Sequence, residues 1–157
     1  FFGATSFGLN MLLNMDVLFQ KYIAECIRKE RPGRVMTEGP NRSFCLHPID
    51  GGFSFLRPDI SVIVNGHVKK IFECKWKYVK SYSDVGVNDL RQAYVYSKVY
   101  DCEQVVLVYP GLTKSIQRQP ILVNEMHAGV RILVMWVPLD LIAHGELNFD
   151  LFGSVRA

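Results

Sequence analysis

The sequence lacks most of the features that announce a function. Its four cysteines, Cys26, Cys45, Cys74 and Cys102, form no Cys-x-x-Cys pair, and His47, His67, His127 and His144 show no two-His helical spacing. Neither a structural zinc site nor a disulfide framework is therefore expected, and the setting reads as reducing and cytoplasmic. Strong charge of one sign is also missing. The 18 basic and 15 acidic residues leave only +3, which permits a nucleic-acid partner without announcing one. The opening "FFGATSFGLNMLLNM" has no basic leader and is broken by Gly3, Gly8, Asn10 and Asn14, so neither a signal peptide nor a membrane span fits it. Internal repeats and low-complexity tracts are absent.

What is present is enough apolar material for one core. A chain of 157 residues that is 49% hydrophobic and 21% charged has the balance of a single globular domain, here spanning 1–157. Because it starts at Phe1 and enters mid-pattern, it reads as the C-terminal part of a longer protein.

Helical spacing of Leu18, Phe19, Tyr22, Ile23, Cys26 and Ile27 predicts an amphipathic helix from Met15 to Glu30, capped by Asn14 and stopped by "RPG". Strand-like pieces follow at Arg34 to Thr37 and Phe44 to Leu46, with "GPN" and "IDGG" as turn chemistry. A second helix is expected over "VNDLRQAYVYSKVY", Val87 to Tyr100, with Val87, Leu90, Tyr94 and Ser97 on one stripe and Asn88 as its cap. "QVVLVYP" and "RILVMWVP" read as strands buried on both faces, and a last short helix is expected from Pro138 to Gly145. This order implies an α/β sandwich, a central mixed sheet flanked by helices.

The informative stretch is "LRPDISVIVNGHVKKIFECKWK", Leu56 to Lys77, two apolar arms that nevertheless carry Asp59, Glu73 and Lys75. Side chains alternate along a strand, so the apolar pattern selects the pairing register. A two-residue Asn65-Gly66 turn would pair Val64 with His67 and mix apolar and charged residues on both faces. A three-residue Asn65-Gly66-His67 loop pairs Val64 with Val68 instead, and the pattern then sorts. Ile60, Val62, Val64, Val68, Phe72, Cys74 and Trp76 share one face with Lys70 as the exception, while Asp59, Ser61, Lys69, Glu73, Lys75 and Lys77 share the other. Asp59 falls opposite Glu73. Like charges directly across a ladder repel, so the pair is expected to hold a cation, and hard oxygens suit Mg²⁺, or Mn²⁺ in its place. Lys75, two residues on, could position a metal-held water and offset charge developing on a phosphate. Taken alone, an acid-x-Lys triplet is common by chance, and solvated edge-strand charges would explain it as well.

With "LRPDI", "ECK" and "RQAYVY" together, the chain resembles the PD-(D/E)xK nuclease superfamily, in which an Asp, an acid-x-Lys and often a Gln-x-x-x-Tyr on the next helix stand in that order. Gln92 and Tyr96 match the last element and lie on one helical face. "MDVLFQKYIAECI", "FLRPDISVIV", "IFECKWK", "NDLRQAYVYSKVY" and "VVLVYP" in sequence look like the nuclease domains of the McrC family, cleaving subunits of McrBC modification-dependent restriction systems. The resemblance runs from about Met15 to Pro110. It implies a restriction-endonuclease-like fold and a Mg²⁺-dependent DNA endonuclease driven by a GTP-hydrolysing AAA+ McrB-like motor, with no membrane involved.

On this reading Asp59, Glu73 and the Cys74 backbone carbonyl hold the metal, Lys75 orients the attacking water, and Gln92 belongs to the catalytic set with Tyr96 in support. The Cys74 thiol is core. Where the family has "LFE", this sequence has Gln20, an amide that can bind a metal-held water but brings no charge; Glu25 is the fallback carboxylate. Glu73 stands where the family more often has Asp. Lys69, Lys77, Lys80 and Arg91 are candidate phosphate contacts, with a plain solvated face as the alternative. Two rival readings are a catalytically silent DNA-binding or assembly module of the same fold, and a repair exonuclease or junction resolvase.

Overall fold

The computed structural model describes residues 14–30, 34–46, 53–112, 117–121 and 131–144. Helix α1 spans Met15–Glu30, and strands β1 (Arg34–Thr37), β2 (Arg42–Leu46), β3 (Phe53–Leu56), β4 (Ile60–Val64) and β5 (His67–Cys74) follow. A short 3-10 turn at Tyr82–Asp84 leads into α2 (Val87–Val99), then come β6 (Gln104–Gly111), β7 (Gln117–Ile121), β8 (Arg131–Pro138) and α3 (Leu139–His144). Six strands form one mixed sheet in the order β1-β4-β5-β6-β8-β7, and β2 and β3 form a separate hairpin. The β5–β6 and β6–β8 pairs are parallel, and the others are antiparallel. Helices lie on both faces, which is the expected restriction-endonuclease-like α/β sandwich.

Each face has its own core. Phe19, Ile23, Ala24, Cys26 and Ile27 of α1 pack on Ile60, Val62, Phe72, Val106, Val108 and Met135. Ala93 and Tyr96 of α2 pack on Ile71, Val105, Leu107, Tyr109, Val134 and Trp136. Strand β6 is buried from Val105 to Gly111, as its unbroken apolar run requires. Among the described residues no helix is long and apolar enough to cross a membrane.

Most of the expected elements form, with instructive departures. The Asn14 side chain accepts the Val17 N–H at 3.3 Å and caps α1 as expected, but Leu18 is left exposed. Helix α2 is capped by Gly86, not Asn88, which lies inside the helix against Arg91. Its buried residues are Asp89, Ala93, Tyr96 and Ser97, and Val87 faces water. The helix is rolled away from its apolar stripe because polar residues of the sheet supply partners for Asp89 and for Gln92. Strands β3 and β7 were not expected; their short runs, one followed by Pro58 and one containing Pro120, carry little alternation to read. Gly145 lies outside the described residues.

The hairpin corrects and vindicates the register argument at once. Its turn is the two-residue Asn65-Gly66, with φ of 51° and 79° at the two positions, as a primed hairpin turn demands. Val64 accordingly pairs with His67 and Ile63 with Val68, so Val68 faces α2 with Ile71 and not the α1 side. A bulge then leaves Lys69 unpaired: the register shifts between Ile63 and Val62, and Val62 pairs with Lys70 and Ile60 with Phe72. One step further, the same register sets Asp59 against Glu73. The expected facing of the two acids is reached through a bulge in the strand, not through a longer loop.

Candidate active site

Asp59 sits just ahead of β4, where Pro58 cannot donate to a ladder and the backbone leaves the sheet. Its carbonyl is held from two sides, by the Glu38 N–H at 2.8 Å and by the Gln20 side-chain amide at 3.0 Å. The ladder is replaced here by side chains. The Cys74 N–H donates to Asp59 Oδ2 at 2.8 Å, and the Asp59 N–H lies 3.4 Å from Glu73 Oε2.

Glu73 and Lys75 project from β5 toward α2, where Gln92 receives both. Lys75 Nζ donates to Glu73 Oε1 at 2.8 Å and to Gln92 Oε1 at 3.0 Å. The Gln92 amide nitrogen donates to Glu73 Oε1 at 2.9 Å and to the Tyr96 hydroxyl at 3.0 Å, and that hydroxyl donates on to the Arg57 carbonyl at 3.2 Å. Only a primary amide can accept from a lysine and donate twice in this way; a carboxylate there would meet Glu73 as a second acceptor. Gln92 and Tyr96 are one helical turn apart, so the whole chain of bonds runs along one face of α2.

The electrostatics follow from burial. Glu73 is only 3% exposed, and desolvation together with the facing Asp59 carboxylate pushes its carboxyl up to about 7 despite Lys75. Asp59 is also raised, by burial first, while the Cys74 N–H and Lys75 pull the other way. Burial alone would lower Lys75, but the Glu73 carboxylate beside it outweighs this and holds the ammonium charged. The Cys74 thiol is pushed well up by burial and by the two acids, and it lies in the α1-side core.

Among the described residues no three His, Cys, Asp or Glu side chains gather into one metal-sized cluster. What converges is two carboxylates and a carbonyl. Asp59 Oδ1 accepts no hydrogen bond from a described residue, and because Cys74 turns its N–H toward Asp59, strand geometry sends its carbonyl to the same edge. These are hard oxygens, one of them on a carboxyl raised by burial first and then by a neighbouring negative charge. A divalent cation such as Mg²⁺, which takes one or two protein carboxylates and keeps several waters, suits such a donor set.

The sequence model of the family described as McrBC 5-methylcytosine restriction system component matches residues 3–110, more than half of the chain. The chain belongs to this McrBC component family. Among solved structures it is similar to a chain of the Thermococcus gammatolerans assembly of McrB AAA+ hexamers with bound McrC, at 17% identity and a TM-score of 0.57. That match covers 82% of this chain and 29% of the other, so the present chain spans less than a third of the protein it resembles. At this identity the likeness speaks for the fold. No curated protein matches the chain.

In this McrBC-family chain the structure gathers Asp59, Glu73, Lys75, Gln92 and Tyr96, with Gln20 bracing Asp59 from α1. Glu25 stays outside: it is exposed and pairs with Arg28. Lys69 is at the turn end of β5 and pairs with Glu103 at 3.3 Å, four strand residues from Glu73, or about 13 Å. Arg91 is exposed beside Asn88, and Lys80 is exposed beyond β5. Lys77 is close by, its Nζ 2.6 Å from Asp89 and 5.9 Å from the Tyr109 ring centroid.

Three residues escaped the sequence reading. Asp89 also accepts the Tyr109 hydroxyl at 2.6 Å, fixing a buried pair beside Lys75. Asp16 accepts the Trp76 N–H at 3.3 Å, and its charge helps raise Asp59. Its four-residue spacing from Gln20, which puts both on one helical face, was the signal that could have found it.

Proposed function

We propose that this chain is the DNA-cleaving part of a McrBC-type restriction system, a PD-(D/E)xK endonuclease acting on DNA in the cytoplasm with Mg²⁺, or Mn²⁺ in its place. The observation that carries the reading is the facing of Asp59 and Glu73 at the end of β4 and β5, with Lys75 held between Glu73 and Gln92. Asp59, Glu73 and the Cys74 carbonyl would hold the ion, which supplies Lewis-acid activation of water and of the phosphoryl oxygens. Lys75 stays cationic and is fixed by two acceptors, so its third N–H is free to orient a water or meet charge building on the phosphate. Gln92 sets the direction of that ammonium, and Tyr96 sets the direction of Gln92.

Membership of a restriction-system family supports this reading over a generic phosphodiesterase. We extend it to the partner: like the similar Thermococcus chain, the protein would assemble with an AAA+ motor, one that hydrolyses GTP and supplies target selection. One observation favours the silent-module alternative, since Gln20 spends its amide on the Asp59 carbonyl and adds no third carboxylate.

Calorimetric titration of Mn²⁺ or Mg²⁺ into the wild type, Asp59→Ala and Lys75→Ala, with plasmid nicking in the presence of the motor partner, tests the proposal. Metal binding lost with Asp59 but kept without Lys75, and nicking lost in both, is expected. Metal-independent DNA binding that Asp59→Ala leaves unchanged, with no nicking, would establish the silent module. Linear ends, closed circles and four-way junctions as substrates separate an endonuclease from an exonuclease or resolvase.

A further inference from the structure

Immediately after Lys75 the chain leaves the sheet, and its backbone is held at three points. The Trp76 N–H is held by Asp16, the Lys77 N–H by the Lys75 carbonyl at 2.9 Å, and the Val79 carbonyl by the buried Trp136 indole at 2.7 Å. This rigid segment forms one wall of an open pocket of about 230 Å³ lined by Trp76, Lys77, Tyr78, Pro110, Leu112 and Leu139. The pocket sits past the carboxyl ends of the parallel strands β5, β6 and β8, the usual side for ligands in sheets of this kind. Tyr78 is 64% exposed and Leu112 72%, and both line this pocket.

We propose that this pocket receives a base of the DNA strand next to the phosphate at Lys75. The proposal rests on the nuclease reading for the position of that phosphate. Three features choose a nucleotide over other occupants. The cavity is smaller than the range of about 300–1,000 Å³ typical of drug-sized ligands, so it suits one flat ring system better than a helix or strand of a partner. Its walls are two aromatic rings, a proline and two leucines, the surfaces on which unstacked bases settle whatever their sequence. Lys77 is among the lining residues and its ammonium is held toward the α2 side by Asp89, so an apolar floor and a cation lie one residue apart along the chain, as the base and phosphate of a nucleotide do. The consequence is that DNA is bound with a base displaced from its stack, giving the site a preference for distorted or single-stranded DNA.

The test compares two oligomers of equal length and charge, a single-stranded homopolymeric deoxyoligonucleotide and the same chain with every position abasic. Binding to the full-length protein is followed by fluorescence anisotropy in EDTA, so that no cleavage intervenes. Wild type should bind the base-bearing oligomer roughly fivefold tighter or more, the lower end of one stacked base. Tyr78→Ala and Leu112→Ser should shrink that ratio toward one while leaving the abasic affinity unchanged. Both positions are exposed, so folding should persist, and thermal unfolding checks it. Equal affinities in wild type, or variants that weaken both oligomers alike, would overturn the proposal. So would variants that keep the base preference but no longer assemble with the motor protein, which would assign the patch to protein docking. A base preference without metal binding or nicking would sink the nuclease reading and leave the pocket standing; nicking with no base preference would do the reverse.

Discussion

The two helices that cover the sheet are held by different forces. Helix α1 buries Phe19, Ile23, Ala24, Cys26 and Ile27, an apolar stripe with no polar member, and each large side chain there contributes about 1.5–3 kcal/mol by leaving water. Helix α2 buries Asp89, Ala93, Tyr96 and Ser97; it packs Ala93 and Tyr96 on the apolar sheet and adds hydrogen bonds from its polar side chains to Tyr109, Glu73 and Lys75 and to the Arg57 carbonyl ahead of β4. Net hydrogen bonds are worth only about 1 kcal/mol each, so on α2 they add direction to an anchoring that apolar packing supplies. Both helices hold the fold, and the second also aims side chains.

That contrast can be broken by experiment, and Ile23→Ala should give the largest effect. Its cavity at a fully buried position should cost about 2–5 kcal/mol in denaturant unfolding and lower activity only as far as folded protein is lost. Lys75→Ala is the opposite kind of change. Nicking should fall by about 10²–10³-fold, the scale of losing one preorganised charge, with metal binding retained. An activity loss no larger than that of Ile23→Ala at equal folded fraction would remove Lys75 from its role.

The third effect depends on pH. In the folded chain Glu73 holds its proton up to about 7, against an ordinary 4.5, so the native state binds that proton more tightly than the unfolded one. The resulting stability is fully present below about 4.5 and is lost as pH rises through about 7, a change on the order of 3 kcal/mol at most. Metal-free protein should therefore unfold more easily at pH 8 than at pH 5, and Glu73→Gln should flatten the profile. A wild-type profile that is already flat, or rises with pH, would contradict the buried facing of the two acids. Smallest of the four, Tyr96→Phe should cost about 1 kcal/mol or less in stability, since it deletes one hydroxyl. It should still lower nicking more than it lowers the folded fraction, because Gln92 loses one of its three partners.

The same contrast explains what could be read in advance. Helix α1 was legible in its bounds and in its buried face apart from Leu18, because its burial is apolar and periodicity reports apolar burial. Helix α2 was legible in extent but not in rotation: the rule that apolar residues face inward fails where the sheet offers Glu73, Lys75 and Tyr109 as partners. The convergence of Asp59, Glu73, Lys75, Gln92 and Tyr96 at a candidate site was legible, since their spacing survives without a structure. Asp89 and Tyr109 were not, since no motif marks their pairing, and Asp16 showed only its spacing from Gln20. Lys69 stands apart from the cluster for a geometric reason: alternation put it on the Glu73 face but said nothing of its distance along the strand.

The bulge at Lys69 has a consequence for how this chain tolerates change in length. A strand is a two-state counter, odd or even, and the bulge is the single extra count between the Asn65-Gly66 turn and the Glu73 end of β5. Removing it would flip the parity of everything downstream, delivering the Cys74 thiol to the place of Glu73 and driving Glu73 and Lys75 into the apolar layer under α1. Insertions or deletions of one residue between Gly66 and Lys70 should therefore be lethal to the protein, while a compensated pair, one lost and one gained within that interval, should pass almost unnoticed.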